Sequence, residues 1–302
     1  MSQIPPVGSS DELTSIEPVH EASPGQRTWR AFVHNPLGIG SLVVLILIAI
    51  VAVAAPLIAP EPSGYSAAVL EPPSSEHWFG TDHIGQDVFA QIVWGSRTSL
   101  AVGLGASALA IVLGAIVGVG AAYFPKLNTT LGILIDVMLS LPVLPLMILI
   151  AALVGPSVST LVVVIAVFSW PEVARVVRSQ ALPVVTLTYV NAAHVIGASN
   201  LWVLARHVVQ AVTPVIVVSV VLTASKAVLS EAGLSFLGLG DPNSWSWGTV
   251  LYNAQRSGVL ASAWWTALFP SLAILVLVVA ATLCSLGYND ARNPRTRGDS
   301  AR

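Results

Sequence analysis

Hydrophobic residues are concentrated in six long runs, and polar segments separate these runs. A helix needs about 20 mostly apolar residues to cross a bilayer, within a range of about 17–25. Five runs meet this requirement, whereas the fourth is shorter and must use its polar flanks or lie in a protein-lined position. The pattern therefore predicts six membrane-spanning helices. They cover about 37–58, 99–124, 131–154, 157–170, 213–230 and 264–286.

The composition supports this interpretation, because 55% of the 302 residues are hydrophobic and only 9% are charged. Soluble domains carry about 25% charged residues, so this chain must use lipid as a solvent. The single cysteine, Cys284, lies in an apolar run, and no intrachain disulfide can form. We expect Cys284 to serve packing rather than thiol chemistry.

The polar segments divide the chain into predicted regions. The N-terminal segment is too polar and too long to be the basic region of a cleaved signal peptide, so the first apolar run is expected to remain as a spanning helix. The regions are a flexible cytoplasmic tail 1–36, the first helix 37–58, an extracytoplasmic loop 59–98, a five-helix core 99–286 and a cytoplasmic tail 287–302. Within the core we expect a cytoplasmic loop at 171–212 and an extracytoplasmic loop at 231–263.

Basic residues predict the orientation, because they are enriched on the cytoplasmic side of membrane proteins. With the N-terminus inside, only Arg97 and Arg256 fall outside and Lys226 falls within a span. We therefore expect both termini to be cytoplasmic. The basic residues on that side are Arg27, Arg30, Lys126, Arg175, Arg178, Arg206, Arg292, Arg295, Arg297 and Arg302.

Aromatic and small residues add detail to the predicted bundle. Gly114 and Gly118 are four residues apart in the second run, a spacing that lets two helix backbones approach closely in lipid. Tryptophans gather near the outer ends of the spans, where they can anchor the helices among lipid headgroups or line the mouth of a pathway. They are Trp78, Trp94, Trp245, Trp247, Trp264 and Trp265.

The sequence contains no recognisable phosphate-binding, metal-binding or nucleophile motif. Its two lysines, Lys126 and Lys226, follow proline and serine, so neither completes a phosphate-binding loop. His77 and His83 share the predicted outer loop, but no further ligand joins them into a metal site. No nucleophile motif is present either. We expect a chain that is not an enzyme and holds neither metal nor cofactor.

Three ionisable residues lie in or beside the predicted spans, where charge is costly and often functional. Asp136 and Glu231 fall near opposite interfaces and can be solvated there, and Lys226 can extend toward the outer surface. The functional hypothesis is that these residues contribute to a translocation pathway, where Lys226 or Glu231 meets a charged end of the substrate. An ion-coupled carrier would instead use Asp136 and Glu231.

The predicted cytoplasmic loop contains a stretch of small residues followed by glycine. Ala192 and Ala193 permit close docking of another surface, and Gly197 allows a tight bend between two short helices. The segment can be a connector to a soluble partner or an amphipathic helix on the lipid headgroups.

This stretch resembles the E-A-A-x-x-x-G coupling signature of permeases in bacterial ATP-binding-cassette (ABC) importers, which sits against the ATPase subunits. Two further stretches resemble the peptide/nickel permease family, and the N-terminal segment around residues 35–37 fits that family as well. Together these segments cover about residues 28–290. The segment 77–87, with 94–100, is similar to the outer-loop signature of that family, and its motif residues are Gly80, Thr81, Asp82, Gly85 and Asp87. The segments 234–240 and 246–248 are similar to the "C"-type subunit, and 234–240 is expected to form an irregular turn.

Three positions depart from the family pattern. Asn191 stands in place of the usual glutamate of the coupling signature, and Gln210 replaces a proline that commonly follows the loop histidine. Gln86 replaces the usual arginine of the outer motif. Docking is expected to persist, because the small residues and Gly197 are present. The departures put in doubt a polar contact with an ATPase.

The resemblance implies an all-α membrane protein of the type I ABC importer permease fold in the bacterial cytoplasmic membrane. It implies a heterodimer with a homologous permease, ABC ATPase subunits that bind ATP and magnesium, and an extracytoplasmic solute-binding protein, without a nucleic-acid partner. Peptides or similar small solutes would be the cargo. The implied coupling site consists of Asn191, Ala192, Ala193 and Gly197, braced by Arg206 and His207.

Two other classes of protein stay open on the residues alone. The first is an ion-coupled secondary transporter, although the sequence lacks detectable inverted repeats. The second is a membrane scaffold without transport activity, in which the charges inside the spans would be unexplained.

Overall fold

The computed structural model of the chain describes residues 24–292, and every regular element in that range is a helix. Thr81 and Asp87 form an isolated β-bridge in the longest loop. The α-helices are α1 (Pro24–Val33), α2 (Pro36–Val53), α3 (Ala55–Ile58), α4 (Val88–Tyr123), α5 (Pro125–Ser140), α6 (Val143–Val154), α7 (Val158–Val185), α8 (Thr188–Val195), α9 (Asn200–Val203), α10 (Gln210–Leu234), α11 (Trp247–Arg256) and α12 (Trp265–Arg292). Two π-helical turns, Leu204–Val209 and Ser235–Leu239, extend α10 at both ends.

Within the described range, five helical segments are long and apolar enough to cross a membrane, and a bent pair makes a sixth if its two helices form one broken span. The bent pair is α5 and α6, whose axes differ by 83°. Proline disfavours helical geometry in the residue before it. Leu141, which precedes Pro142, is accordingly extended with ψ 146°. The predicted third span is therefore broken at this point.

The prediction of a short fourth span was wrong, because α7 continues through Pro171 to Val185. A proline inside a membrane helix removes one backbone hydrogen bond, but neighbouring groups can compensate for the loss. Pro171 is buried in the bundle. As a result, the predicted cytoplasmic loop begins near residue 186, and Glu172 and Arg175 lie within a spanning helix instead of in that loop.

Other helices also extend beyond their predicted limits. Helix α1 lies within the predicted N-terminal tail, and α12 continues to Arg292 inside the predicted C-terminal tail. Residues 1–23 and 293–302 of these tails are outside the described range. Helix α4 starts eleven residues earlier than expected, at Val88, because the Asp87 carboxylate accepts hydrogen bonds from the amides of Phe89 and Ala90.

Helix α4 is the centre of the bundle and packs along α7 and α10. A Cβ atom on Gly114 would lie 2.6 Å from the Val173 Cβ of α7, and one on Gly118 would lie 2.6 Å from the Ala174 carbonyl oxygen. The predicted close approach of two backbones at these glycines is confirmed. Without side chains at these positions, α4 and α7 make van der Waals contact over several turns.

The bundle has two distinct ends. One carries residues 186–209, which we call the elbow, and the opposite end carries α11. Helix α4 runs from the α11 end to the elbow, whereas α2 runs in the opposite direction and ends beside Ala90 and Val93 of α4. At the elbow end, Phe32 packs with Cys284 and Tyr288. Both ends of the described chain therefore lie at the elbow end, and Cys284 has the expected packing role.

The contact between α4 and α7 can be tested with two alanine substitutions on one helix. We expect Gly118→Ala to lower the free energy of unfolding by about 1–3 kcal/mol, because the new methyl group overlaps the Ala174 carbonyl. Gly120→Ala is the control, since its methyl group would have no neighbour closer than 4.0 Å. Thermal unfolding in detergent measures both. Equal melting temperatures would contradict the packing described here.

Candidate functional site

The elbow is a compact pair of short helices joined by a glycine turn. Val190 and Ala193 of α8 are buried against Val203 and Val208, in a cluster that also includes the ends of α4 and α7. Gly197 connects α8 to α9 with φ +90°. An L-residue with a side chain pays roughly 1–2 kcal/mol in this left-handed region, so glycine favours the turn.

Tyr123, the last residue of α4, joins this helix to both parts of the elbow. Its hydroxyl oxygen lies 2.9 Å from the His194 Nε2 atom of α8 and donates to the Asn200 side-chain oxygen of α9 at 3.1 Å. The His194 Nδ1 atom is 3.0 Å from the Val190 carbonyl oxygen. Sequence reasoning missed these residues, because no local motif marks a tyrosine whose partners lie more than 70 positions away.

The outward face of the elbow is unusually apolar. Asn191, Ala192 and Gly197 are exposed on it. Beside them, Val195, Ile196 and Leu201 are 87%, 85% and 77% exposed. Contiguous exposed apolar side chains mark interaction surfaces, and these lie at the end of the bundle rather than along a spanning helix. We call Ala192, Val195, Ile196, Gly197 and Leu201 the elbow face.

The two residues that were expected to brace the elbow have different surroundings. The His207 ring packs between the rings of Tyr189 and Trp202, with centroid distances of 5.3 and 5.4 Å. Arg206 is exposed, and its guanidinium donates to the Gln210 amide at 3.1 Å when that amide is oriented to donate to the Arg206 carbonyl. Gln210, one of the three departures from the family pattern, thus contacts Arg206 directly.

At the other end of the bundle, residues 59–87 form a loop that we call the clamp loop. Asp82 organises it from a buried position. Its Oδ1 atom accepts hydrogen bonds from the amides of Ile84 and Gln86 at 2.9 and 2.8 Å. Its Oδ2 atom accepts from the Gln91 side chain of α4 at 2.6 Å. The carboxylate therefore fixes the turn and attaches it to α4.

The other motif residues serve the same loop. Thr81 donates its hydroxyl to the Ala68 carbonyl and accepts from the Glu71 amide. Gly80 and Gly85 have φ of +73° and +83°, and a Cβ atom on either would lie within 2.7 Å of a backbone oxygen. Asp87 caps α4, and its Oδ2 atom is 2.9 Å from the His77 ring. The motif residues thus stabilise the clamp loop and its junction with α4.

Tryptophan indoles hold this end together. Trp94 donates to the Ala59 carbonyl, Trp245 to Pro62, Trp247 to Ile92 and Trp265 to Thr81. Trp247 and Trp265 are only 2% and 5% exposed. These two residues therefore neither anchor the chain among lipid headgroups nor line the open mouth of a pathway. Trp78 and Trp264 are 65% and 53% exposed and remain available for anchoring.

The clamp loop provides a second test. We expect Asp82→Ala to make the segment 59–87 sensitive to protease and to destabilise the fold, because three donors lose their acceptor. Each donor that stays buried costs about 1–3 kcal/mol. Limited proteolysis in detergent measures the effect, and Glu76→Ala, at an exposed position in the same loop, is the control. Equal protection of the two variants would be evidence against the role of Asp82.

Glu231 is fully buried, with 0% exposure, and does not line an open path in this arrangement. Ser99 of α4 donates to one carboxylate oxygen at 3.0 Å, and Ser235 donates to the other at 2.6 Å. The Ser99 oxygen accepts in turn from the Trp247 amide of α11 at 3.2 Å. Glu231 therefore joins α4, the Ser235–Leu239 turn and α11. That turn includes Gly238 with φ +83°, as expected for an irregular segment.

The other two candidates from the sequence, Lys226 and Asp136, each form an ion pair with a residue of α7. Lys226 of α10 pairs with Glu172 of α7 at 2.6 Å, and Asp136 of α5 pairs with Arg175 of α7 at 2.6 Å. Each of the four side chains is between 56% and 66% exposed. We call Lys226, Glu172, Arg175 and Asp136 the charge row.

The charge row is incompatible with a lipid-facing surface. Glu172 lies about 21 Å along the α7 axis from Val158, near the middle of a helix about 42 Å long. A single charge at the centre of a membrane helix costs about 2.5–3.5 kcal/mol on insertion scales. The face with these four side chains must therefore meet water or another protein chain.

Glu172 and the membrane position of Arg175 were missed by sequence reasoning, because Pro171 was interpreted as the end of a span. The apolar residues Val173, Ala174, Val176 and Val177 that follow it are the signal that α7 continues. Within residues 24–292, no group of three or more His, Cys, Asp or Glu side chains is arranged to hold a metal ion.

Glu231 supplies a third test. Glu231→Ala removes the acceptor for two buried hydroxyls and opens a cavity, so we expect a loss of about 2–5 kcal/mol in stability. Glu231→Gln keeps one acceptor oxygen and should cost less than half as much. Thermal unfolding in detergent compares them. If both variants melted like the unaltered protein, the buried cluster would contribute no stability.

The helices, the elbow and the charges within the spans define an α-helical, multi-pass membrane protein with an interaction surface at one end. Residues 110–298 match the family described as "Binding-protein-dependent transport system inner membrane component". Residues 23–73 match the "N-terminal TM domain of oligopeptide transport permease C". The chain belongs to the family of binding-protein-dependent transport system inner membrane components.

Relatives cover nearly the whole chain. The dipeptide transport system permease protein DppC of Bacillus subtilis is 34% identical over 277 residues, covering 90% of this chain and 86% of the relative. The di/tripeptide transport system permease protein DppC of Pseudomonas aeruginosa is 33% identical over 285 residues, with coverage of 91% and 93%. The glutathione transport system permease protein GsiD of Escherichia coli is 33% identical over 292 residues, with coverage of 94% of both chains.

The family membership decides between the classes left open by the sequence. The chain is the permease component of an ABC importer in the bacterial cytoplasmic membrane, and such systems include ATPase and binding-protein partners. An ion-coupled secondary transporter is not supported.

Proposed function

We propose that the chain is a C-type permease subunit that imports peptides or similar small solutes together with a homologous permease. ATP and magnesium are bound by partner ATPase subunits, and this chain itself catalyses no reaction. The names of three relatives, two that transport di- or tripeptides and one that transports glutathione, support a peptide cargo. The observation that carries the proposal is the elbow face, an exposed apolar surface around Gly197 at one end of a membrane bundle.

The elbow face is the proposed ATPase contact. Ala192 is exposed and small, so another surface can approach α8 closely, while Ala193 and Val190 hold the same helix to the bundle. Asn191 offers an amide in place of a carboxylate, and docking therefore relies on apolar contact. His207 and Arg206 brace the segment through Tyr189, Trp202 and Gln210.

Movement of the ATPases can reach the spans through two contacts. Val203 and Val208 pack the elbow against the ends of α4 and α7, and Tyr123 bonds α4 to His194 and Asn200. A push on the elbow would therefore displace α4 and α7 together, because their backbones are in contact. Such displacement would alternate access to the pathway between the two sides of the membrane.

The elbow end is proposed to face the cytoplasm, with both termini on that side. Arg30, Lys126, Arg206 and Arg292 lie at or near this end, whereas Arg97 and Arg256 lie toward the α11 end. This distribution follows the enrichment of basic residues on the cytoplasmic side. The clamp loop then faces outward, where it caps the pathway or contacts the binding protein.

The pathway is proposed to run along the face that carries Asp136 and Lys226. Their exposed ion pairs require contact with water or protein at membrane depth. Glu231, the third candidate from the sequence, supports the wall of this pathway from inside the bundle rather than touching the solute.

The first experiment is affinity purification of the tagged chain from its native membranes in mild detergent, with identification of co-eluting proteins. We expect a homologous permease and one or two ATPase subunits. Gly197→Trp should remove the ATPases, because it places a bulky side chain on the elbow face and strains a residue at φ +90°.

Gly258→Trp is the matched control. Gly258 has φ +71°, and like Gly197 it has open space around its Cβ position, but it follows α11 at the other end of the bundle. The Gly258→Trp variant should retain the ATPases. A chain that elutes alone, also after cross-linking, would refute the proposal, as would equal loss of the ATPases in both variants.

A further inference from the structure

The charge row alternates in sign from one side chain to the next. Lys226 contacts Glu172, and Asp136 contacts Arg175. Glu172 and Arg175 are three residues apart on α7, so they occupy one face of the helix with Cβ atoms about 5–6 Å apart. In the order Lys226, Glu172, Arg175 and Asp136, the charges are therefore positive, negative, positive and negative. They sum to zero.

We propose that the charge row binds a solute that carries one cationic and one anionic end, such as a peptide with free termini. This inference rests on the proposed function, because it places the row in the pathway of a peptide importer. Residues Glu172 and Arg175 complete a binding site of which the sequence indicated only Asp136 and Lys226.

The exposure of the row favours a ligand over a purely structural role. The four side chains are each more than half exposed, so neither ion pair is covered by this chain itself. Lipid excludes charged groups, so the row is stable only where water, a polar ligand or another protein chain meets it. A dry contact with a second chain would require that chain to satisfy the remaining hydrogen-bonding positions of all four charged groups at once, which is a demanding match.

The alternation of charge determines which ligands fit. A zwitterionic solute can enter the Lys226–Glu172 pair with its carboxylate toward Lys226 and its ammonium group toward Glu172. One ion pair is replaced by two, and no unpaired charge remains. A solute with a single charge would leave one side chain of the pair without a partner in a site of low polarity.

The pairs also connect the site to movable elements. The acidic and basic partners lie on different helices, α5 with α7 and α7 with α10. A solute that separates Glu172 from Lys226 therefore changes how α7 contacts α10. Because α7 also packs against the elbow, ligand binding and the proposed ATPase contact act on the same helix.

The test begins with thiol labelling of the assembled complex in vesicles, for which no substrate is needed. The background is Cys284→Ala, which removes the single native thiol of this chain. Glu172→Cys leaves Lys226 unpaired, so an anionic methanethiosulfonate should react at least about fivefold faster than a cationic one. Lys226→Cys leaves Glu172 unpaired and should reverse the preference.

Val163→Cys is the control for lipid exposure on the same helix. Val163 is 53% exposed and lies about half a turn away from Glu172 around the α7 axis, and neither reagent should react there. Absence of reaction at both charged positions would overturn the inference, because the row would then be dry. Equal rates for the two reagents at both positions would overturn it as well.

Uptake of alanylalanine, driven by ATP and the cognate binding protein, tests recognition. We expect the double variant Glu172→Gln/Lys226→Gln to lose about tenfold or more in initial rate per assembled complex, and to be no better than either single variant. Lys126→Gln, an exposed charge at the start of α5, should retain the unaltered rate.

The double variant distinguishes a role of the ion pair in solute recognition from a purely structural role. If the pair only stabilised the helices, removing both charges together would avoid an unpaired charge and restore transport relative to the single variants. Wild-type uptake by the double variant would therefore overturn the inference. Failure of the unaltered complex to import alanylalanine would instead argue against a dipeptide cargo, and thiol labelling would still report whether the row faces water.

Discussion

The close contact between the backbones of α4 and α7 is the constraint on which the rest of the structure depends. Lipid gives apolar side chains no reason to prefer one another, so membrane helices associate through van der Waals contact and a few polar bonds. Gly114 and Gly118 provide that contact, and Gly103 provides a similar one toward Val228 of α10. With α4 held between two partners, α7 and α10 are placed side by side. The ion pairs that lie on their exposed face follow from this placement.

The two ends of the bundle differ in how their polar and apolar groups are covered. The clamp loop directs the polar atoms of Thr81, Asp82 and Asp87 into its own turns and into α4, which makes it a self-contained cap. The elbow buries Val190, Ala193, Val203 and Val208 and leaves Val195 and Ile196 exposed. The polar groups of the clamp loop are therefore satisfied within the chain, whereas the elbow leaves apolar side chains uncovered. This asymmetry fits a protein that responds at one end and selects or admits solute at the other.

The multi-pass helical architecture and the position of the elbow could be predicted from the sequence, because apolar run length and local small-residue patterns are sufficient signals. The limits of α7 could not, since the rule that proline ends a helix fails for Pro171, a buried residue inside a membrane bundle. The motif of the clamp loop was recognised, but the role of Asp82 as a triple acceptor depends on the folded turn. The pairing of Lys226 with Glu172 could not be predicted from the sequence either, because 54 positions separate the two residues and no local pattern connects them.

The order of the charged residues along the chain has a consequence for how the protein is made. Asp136 is synthesised 39 residues before Arg175, and Glu172 is synthesised 54 residues before Lys226. During synthesis each acid is therefore added to the chain before its basic partner. Integration of α5 and α7 into the bilayer one at a time would expose an unneutralised carboxylate to lipid, at a cost that the finished protein avoids. The nascent chain is accordingly expected to release these spans from the insertion machinery as a group, with α10 as the last member.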